Sequence, residues 1–263
     1  MKMEQAHGPP LEMIGVSVAS SLSPETATIE DVMWTVAAGD YWVVGGLPGT
    51  GKSDLLATAA GLQRPLRGTH LLFGEDLARL DEPALIQKRL RVGLVFENGG
   101  RLFNRLTVAE NLALPFCYHH GGSPAEAKEK VAGILELMGL STLGRQMAGR
   151  VARNWRERVG LARALVLEPE LLLLDNPLAG LDPRQTRWWL EFLARLSHGL
   201  HPWPGRKMTL VVATDDFRPW KDQGRQFALI KDKSWHGLGG AEQLSSSDEP
   251  LLRELLAAEF MKP

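Results

Sequence analysis

Tyr41 to Ser53 reads YWVVGGLPGTGKS, an apolar run that breaks into a glycine-rich turn and ends on Lys and Ser. Tyr41 to Val44 is strand-sized, and Leu55, Leu56 and Ala59 behind the turn predict a helix. A strand, then G-x-x-x-x-G-K-S, then a helix is the arrangement of a phosphate-binding loop. Its glycines let the backbone wrap an anion, which consecutive N–H groups and the helix N-terminus then bind. The loop residues are Gly46, Leu47, Pro48, Gly49, Thr50, Gly51, Lys52 and Ser53. In that chemistry Lys52 neutralises β- and γ-phosphates and Ser53 offers its hydroxyl to Mg²⁺. Asp54 follows in the first helical turn and carries two readings. A carboxylate there stabilises a helix N-terminus by roughly 0.3–1 kcal/mol, or it competes with the phosphates beside it.

Outward from the loop, Leu11 to Val18 and Asp31 to Val36 read as two strands joined by a Ser/Thr-rich turn. Arg91 to Phe96, Leu171 to Leu174, Met208 to Ala213 and Phe227 to Lys231 read as further strands. Thr107 to Leu167 reads as mostly helical, with Val131, Ile134, Leu135 and Met138 at helical spacing. Asp182-Pro183 has the pattern of an N-cap with Pro at the first helical position. Strands alternating with helices imply an α/β fold with a mainly parallel sheet, covered on both faces and interrupted by a helical lobe.

Composition narrows the function. The 263 residues are 44% hydrophobic with a net charge of −1, which gives no reason to expect a surface for nucleic acid. The single Cys117 excludes an internal disulfide and fits a reducing compartment. No leader-like stretch opens the chain and no apolar run is long enough for a bilayer, so a cytoplasmic protein is expected, reaching a membrane only through a partner.

Further motifs carry a family resemblance over nearly the whole chain. Arg91 to Phe96 resembles the strand before the Q-loop of ABC-transporter ATP-binding subunits, and Leu106 to Pro115 (LTVAENLALP) the segment after it. Arg158 to Leu165 is similar to the helix behind their signature motif. Leu171 to Asp175 resembles Walker B, and Ala179 to Pro183, with Asp182, the D-loop. Gly100 to Phe103 before LTVAENLALP, and Ser247 to Glu254, look most like the Mla/Mce lipid-transport members. The resemblance implies a P-loop NTPase of one domain over 1–263, with an N-terminal antiparallel β portion and a helical subdomain at about 98–167. It also implies ATP and Mg²⁺ as ligands, the metal held by Ser53, Asp175 and Glu97. Partners would be permease subunits and a second cassette, as homodimer or heterodimer, at the inner face of a membrane.

Where the family carries its hydrolytic groups, this chain departs. Asn176 stands at the position of the catalytic glutamate, and a carboxamide accepts no proton at neutral pH. Asp215 stands at the switch histidine and Glu97 at the Q-loop glutamine, so both add negative charge. Ala152, Arg153 and Asn154 stand where the family's signature presents a serine and two glycines to a partner's γ-phosphate. Arg153 is either an arginine finger in trans or part of a drifted loop. No aromatic stands near Val18 to stack on adenine; Trp34 or Trp42 is a substitute or part of the core. Trp188-Trp189 reads as packing and His119-His120 as a solvated loop pair. Three functions follow: an accessory transporter cassette with impaired or absent hydrolysis, an ATPase using Glu97 or Asp215 as base, or a regulatory module outside transport. The last lacks a coiled-coil insertion, a second cassette or a basic bias to support it.

Overall fold

The computed structural model describes residues 8–199 and 206–257. Ten strands form one mixed sheet. In chain order come β1 (Leu11–Ala19), β2 (Ala27–Val36), β3 (Tyr41–Gly46), α1 (Lys52–Ala59), β4 (Arg67–Leu72), β5 (Glu75–Asp76), α2 (Glu82–Leu90) and β6 (Val92–Val95). The helices α3 (Val108–His120), α4 (Pro124–Leu137) and α5 (Arg153–Leu165) lie between β6 and β7 (Leu171–Asp175). The chain continues through α6 (Pro183–Ser197), β8 (Thr209–Thr214), β9 (Gln226–Lys231), β10 (Ser234–Gly239), α7 (Ala241–Ser246) and α8 (Pro250–Leu256).

The sheet order is β5-β4-β1-β2-β10-β9-β3-β8-β7-β6. From β9 to β6 every neighbouring pair is parallel. The β1, β2, β4 and β5 pairs are antiparallel, which gives the expected antiparallel portion. β2 begins earlier than its apolar run: Ala27 and Ile29 pair with Ala19 and Val18 across register shifts, drawing part of the polar turn into the sheet. His119 and His120 close α3 instead of lying in a loop.

Alternation along the parallel strands fills two cores. Leu171, Leu173, Val211 and Ala213 face α1 with Leu55, Leu56 and Ala59. Leu172, Leu174, Leu210 and Val212 face the other way, toward Leu161, Leu165, Trp189 and Phe192. Burial of both faces explains why these strands read as continuous apolar runs. Among the described residues no helix is long and apolar enough to cross a membrane.

The helices between β6 and β7 are seated on the sheet by a backbone contact. Gly99, with φ +72°, lies against α5, where a Cβ on Gly160 would come within 2.5 Å of the Gly99 carbonyl oxygen. Backbone cannot yield as a flexible side chain does, so Gly160→Ala is expected to cost about 1–3 kcal/mol in urea unfolding. Gly133→Ala in α4, where a Cβ meets nothing within 4 Å, is expected to be neutral or stabilising by up to about 1 kcal/mol. Equal effects of the two would refute the contact.

Candidate functional site

The C-terminal ends of β3, β6, β7 and β8 meet at one edge of the sheet. Behind β3 comes the glycine-rich loop, behind β6 Glu97, at the end of β7 Asp175 and Asn176, and behind β8 Asp215. In open parallel sheets ligands bind at that edge. Lys52, Ser53, Asp54, Glu97, Asp175, Asn176 and Asp215 line one cavity of about 390 Å³, with Pro48, Gly49 and Gly51 at the loop side.

Gly51 caps α1 in the left-handed region at φ +93°, and a Cβ there would meet Thr28 Cβ at 2.7 Å; only glycine turns the chain into the helix here. Gly46, Leu47 and Thr50 build the loop from within. Thr50 Oγ1 donates to the Leu47 carbonyl at 2.9 Å, and Lys52 Nζ donates to the carbonyls of Gly46 and Leu47 at 2.6 and 2.8 Å. Lys52 is only 8% exposed. Burial pushes its pKa below the usual lysine value, and Asp215, Asp175 and Glu97 pull it back up. Burial likewise pushes Asp175 up, against a hydrogen bond from the Ser53 hydroxyl; Glu97 and Asp215 add to the rise and Lys52 opposes it.

Asn176 adopts φ +44° while its N–H donates to the Ala213 carbonyl at 2.8 Å. Asparagine tolerates that left-handed backbone better than most residues. Its Nδ2 faces Asp215 Oδ2 at 3.4 Å, the two side chains meeting as donor and acceptor. Asp54 resolves into a further role: its Oδ1 accepts from Ser21 N–H at 3.0 Å, tying the β1–β2 connection to α1. That connection supplies the wall that sequence reading missed, Ser20, Ser21 and Leu22, together with Thr28 at the start of β2. Leu22 is 93% exposed. The signal was the polar Ser20-Ser21-Leu22-Ser23 turn beside the loop in space, though not in sequence. Of the two readings of Trp34 and Trp42, packing is the one found: they pack with Trp235, ring centroids 5.0 to 6.4 Å apart, and do not line the cavity. Trp188 stacks on Phe192 at 5.0 Å, with the Arg158 guanidinium 3.6 Å over its ring.

The groups suit a nucleoside triphosphate with its metal. A helix N-terminus and Lys52 offer donors to phosphates, and the Ser53–Asp175 pair offers oxygens on the facing wall. Among the described residues no three of His, Cys, Asp and Glu stand together as a metal site. Mg²⁺ in phosphate sites ordinarily takes one or two carboxylates together with phosphate oxygens.

Ala152, Arg153 and Asn154 do not line this cavity. Ala152 caps α5 without a side-chain bond, and Arg153 Nη2 donates to Asn98 Oδ1 at 2.5 Å. Asp182 is engaged as the cap of α6, accepting from the N–H groups of Arg184 and Gln185 at 2.8 and 3.0 Å. On α5, Glu157 is 2% exposed, and burial pushes it up to about 7, with Arg153 opposing and Glu97 adding. A carboxyl whose folded pKa lies above its unfolded value holds its proton more tightly when folded. Its contribution is therefore full below the unfolded value near 4.5 and is lost as pH rises through about 7. Unfolding titrations should show the parent losing on the order of 1–3 kcal/mol relative to Glu157→Gln between about pH 5 and pH 8. Parallel curves would contradict this environment for Glu157.

Comparison with known proteins agrees with the geometry. Residues 29–179, more than half of the chain, match the family described as ABC transporter. The "Probable ribonucleotide transport ATP-binding protein mkl" of Mycobacterium tuberculosis is 31% identical over 234 residues, covering 89% of this chain and 63% of that protein. The "Methionine import ATP-binding protein MetN" of Cupriavidus metallidurans is 36% identical over 209 residues, covering 80% and 58%. The chain thus spans about three-fifths of the length of these relatives. An ATP-binding cassette solved as a dimer in a post-hydrolysis state with ADP and Pi superposes with a TM-score of 0.75 at 24% identity, over 88% of this chain and 99% of that one. The cassette cbiO1 of Clostridium perfringens gives 0.76 at 21% identity, over 92% of each. On this match over more than half of its length, the chain belongs to the ABC transporter family.

Proposed function

We propose that this chain is the ATP-binding subunit of a membrane transporter, binding Mg-ATP through Lys52 and the loop 46–53 without hydrolysing it efficiently. The observation that carries the reading is the facing pair Asn176 and Asp215 across the cavity from Lys52. Neither asparagine nor a carboxylate beside phosphate performs what a base at 176 and a donor at 215 would supply. Ser53 and Asp175 hold the metal, with Glu97 as a third oxygen donor. The chain pairs with a second cassette, and the D-loop at Asp182 belongs to that contact. Ala152, Arg153 and Asn154 face the partner's nucleotide, where Ala152 offers no hydroxyl and the other two offer no close backbone approach. In such a pair this chain transmits its partner's cycle to permease subunits at the inner face of the membrane, through the helical subdomain at about 98–167. The segments around Gly100 to Pro115 and Ser247 to Glu254 favour a permease of the Mla/Mce lipid-transport type.

Calorimetry of the parent with Mg-ATP should give saturable binding that Lys52→Ala weakens about a hundredfold, or ~2.7 kcal/mol. Phosphate release should be no faster in the parent than in Lys52→Ala. Turnover clearly above that control would instead favour Glu97 or Asp215 as a working base. Electrostatics sets a second expectation. Two unit charges about 4 Å apart interact by at most roughly 4 kcal/mol at an effective dielectric near 20. Asp215→Asn should recover a fraction of that repulsion and tighten Mg-ATP binding about tenfold; unchanged affinity would place Asp215 away from the phosphates.

A further inference from the structure

The nucleotide cavity has one wall that the phosphates and the metal do not use. Lys52 and the loop 46–53 offer the donors for phosphate, and Ser53 and Asp175 the oxygens for the metal. What remains of the lining beside α1 is the β1–β2 connection, Ser20, Ser21 and Leu22, with Thr28 at the start of β2. This wall is fastened to the phosphate loop. A Cβ on Gly51 would stand 2.7 Å from Thr28 Cβ, and Ser21 N–H donates to Asp54 Oδ1 at 3.0 Å. A nucleotide whose phosphates follow the loop therefore lays its nucleoside along Ser20 to Leu22.

Proteins read a base in two ways, by stacking a ring on its face or by hydrogen bonds to its edge. Among the described residues no aromatic side chain lines the cavity. The N–H groups of four consecutive residues are spent inside the connection itself. Ser20 N–H donates to the Thr26 carbonyl at 2.8 Å, Ser21 N–H to Asp54, and those of Leu22 and Ser23 to Ser20 Oγ at 3.2 and 3.3 Å. Thr28 Oγ1 donates to the Val18 carbonyl at 3.4 Å. A serine hydroxyl such as that of Ser21 rotates between donor and acceptor, so it favours no one base edge. With its N–H groups turned inward, the connection presents Leu22, 93% exposed, to the cavity. The methyl groups of a leucine touch the face of adenine, guanine or cytosine alike.

Given Lys52 and the loop 46–53 as a Mg-ATP site, the reading on which this rests, we infer that the site accepts nucleoside triphosphates without reading the base. Leu22 makes an apolar contact that any base satisfies, and the phosphates supply the selectivity. Apolar contact discriminates weakly, whereas sites that reject a wrong ligand by several orders of magnitude do so through buried polar groups that it leaves unpaired. The N–H groups of this wall are already bonded, and none is left over to be paired by one base and orphaned by another. The ligand class is thus wider than adenine nucleotides: Mg-GTP and Mg-CTP bind as Mg-ATP does.

The test is calorimetry of the full chain with Mg-ATP, Mg-GTP, Mg-CTP and Mg-tripolyphosphate, which has no base. The three nucleotides should bind within about fivefold of one another. Leu22→Ser, an exposed change that leaves the core intact, should weaken all three by a common factor of about three and leave tripolyphosphate unchanged. A preference of about tenfold or more for Mg-ATP over the other two overturns the inference while leaving the Mg-ATP site itself standing. Equal loss of nucleotides and tripolyphosphate in Leu22→Ser, or no loss of either, overturns the contact at Leu22. Saturable binding of none of the four removes the Mg-ATP reading and this one with it.

Discussion

Backbone pairing of β3 with β9 on one side and β8 on the other is the constraint from which the nucleotide cavity follows. Both pairings are parallel, with Gly45 opposite Thr214 and Leu229, so the strands point the same way and run out together. β7 continues the register, Asp175 lying opposite Ala213. A strand that ends one residue later delivers its next side chain to the opposite face. The positions of Lys52, Asp175 and Asp215 are thus properties of the ladder more than of their own short segments. Covering both faces with apolar side chains makes the ladder rigid enough for this to matter.

Charge balance inside the cavity is unusual for a site expected to take polyphosphate. Lys52 is the single cation among its lining residues, and Asp54, Glu97, Asp175 and Asp215 are the acids. Lys52 donates to two backbone carbonyls, which satisfies a buried ammonium. Asn176 then has a clear electrostatic sense. Its amide donates toward Asp215, whereas a glutamate at 176 would set a second carboxylate against the first. The two side chains suit each other, and changing either alone would leave a mismatched pair. Asp54 is partly spent on Ser21, which moves some of its charge off the phosphate side and holds the β1–β2 connection against the helix.

Much of this was legible because the decisive signals are local. The phosphate loop, the Leu171–Asp175 run and the Asp182-Pro183 cap are each complete within a few residues, and the structure places β3, β7 and α6 there. β4 escaped notice because RGTHLL is half polar, its outer positions exposed and its inner His70 buried where an apolar residue is the usual choice. β10 escaped because SWHGLG lies at the join of the two parts of the sheet, meeting β2 through a single bridge, Ser234 to Glu30. The missed wall at Ser20 to Leu22 depends on irregular β1–β2 register and on the bond that Ser21 N–H donates to Asp54. Periodicity carries none of that. Trp34 and Trp42, residue types that suit stacking on a base yet in strands more often pack inside, are turned toward Trp235 by β2 and β3.

The region around Asn98 is under tight structural constraint. Asn98 sits at φ +60° between Glu97 and two further left-handed residues, Gly99 and Gly100. The backbone there presses on α5 at Gly160, and Arg153 at the start of α5 closes the contact through Asn98 Oδ1. Glu157, buried on the same helix, feels both Arg153 and Glu97. One face of α5 therefore senses the cavity carboxylate through a charged chain of side chains within this protomer. An arginine held this way must give up that exposed bond before it can reach outward, at a cost of at most about 1 kcal/mol. Arg153 thus belongs to this chain's own packing first; any contact it makes with a neighbouring cassette competes with Asn98 for the same guanidinium.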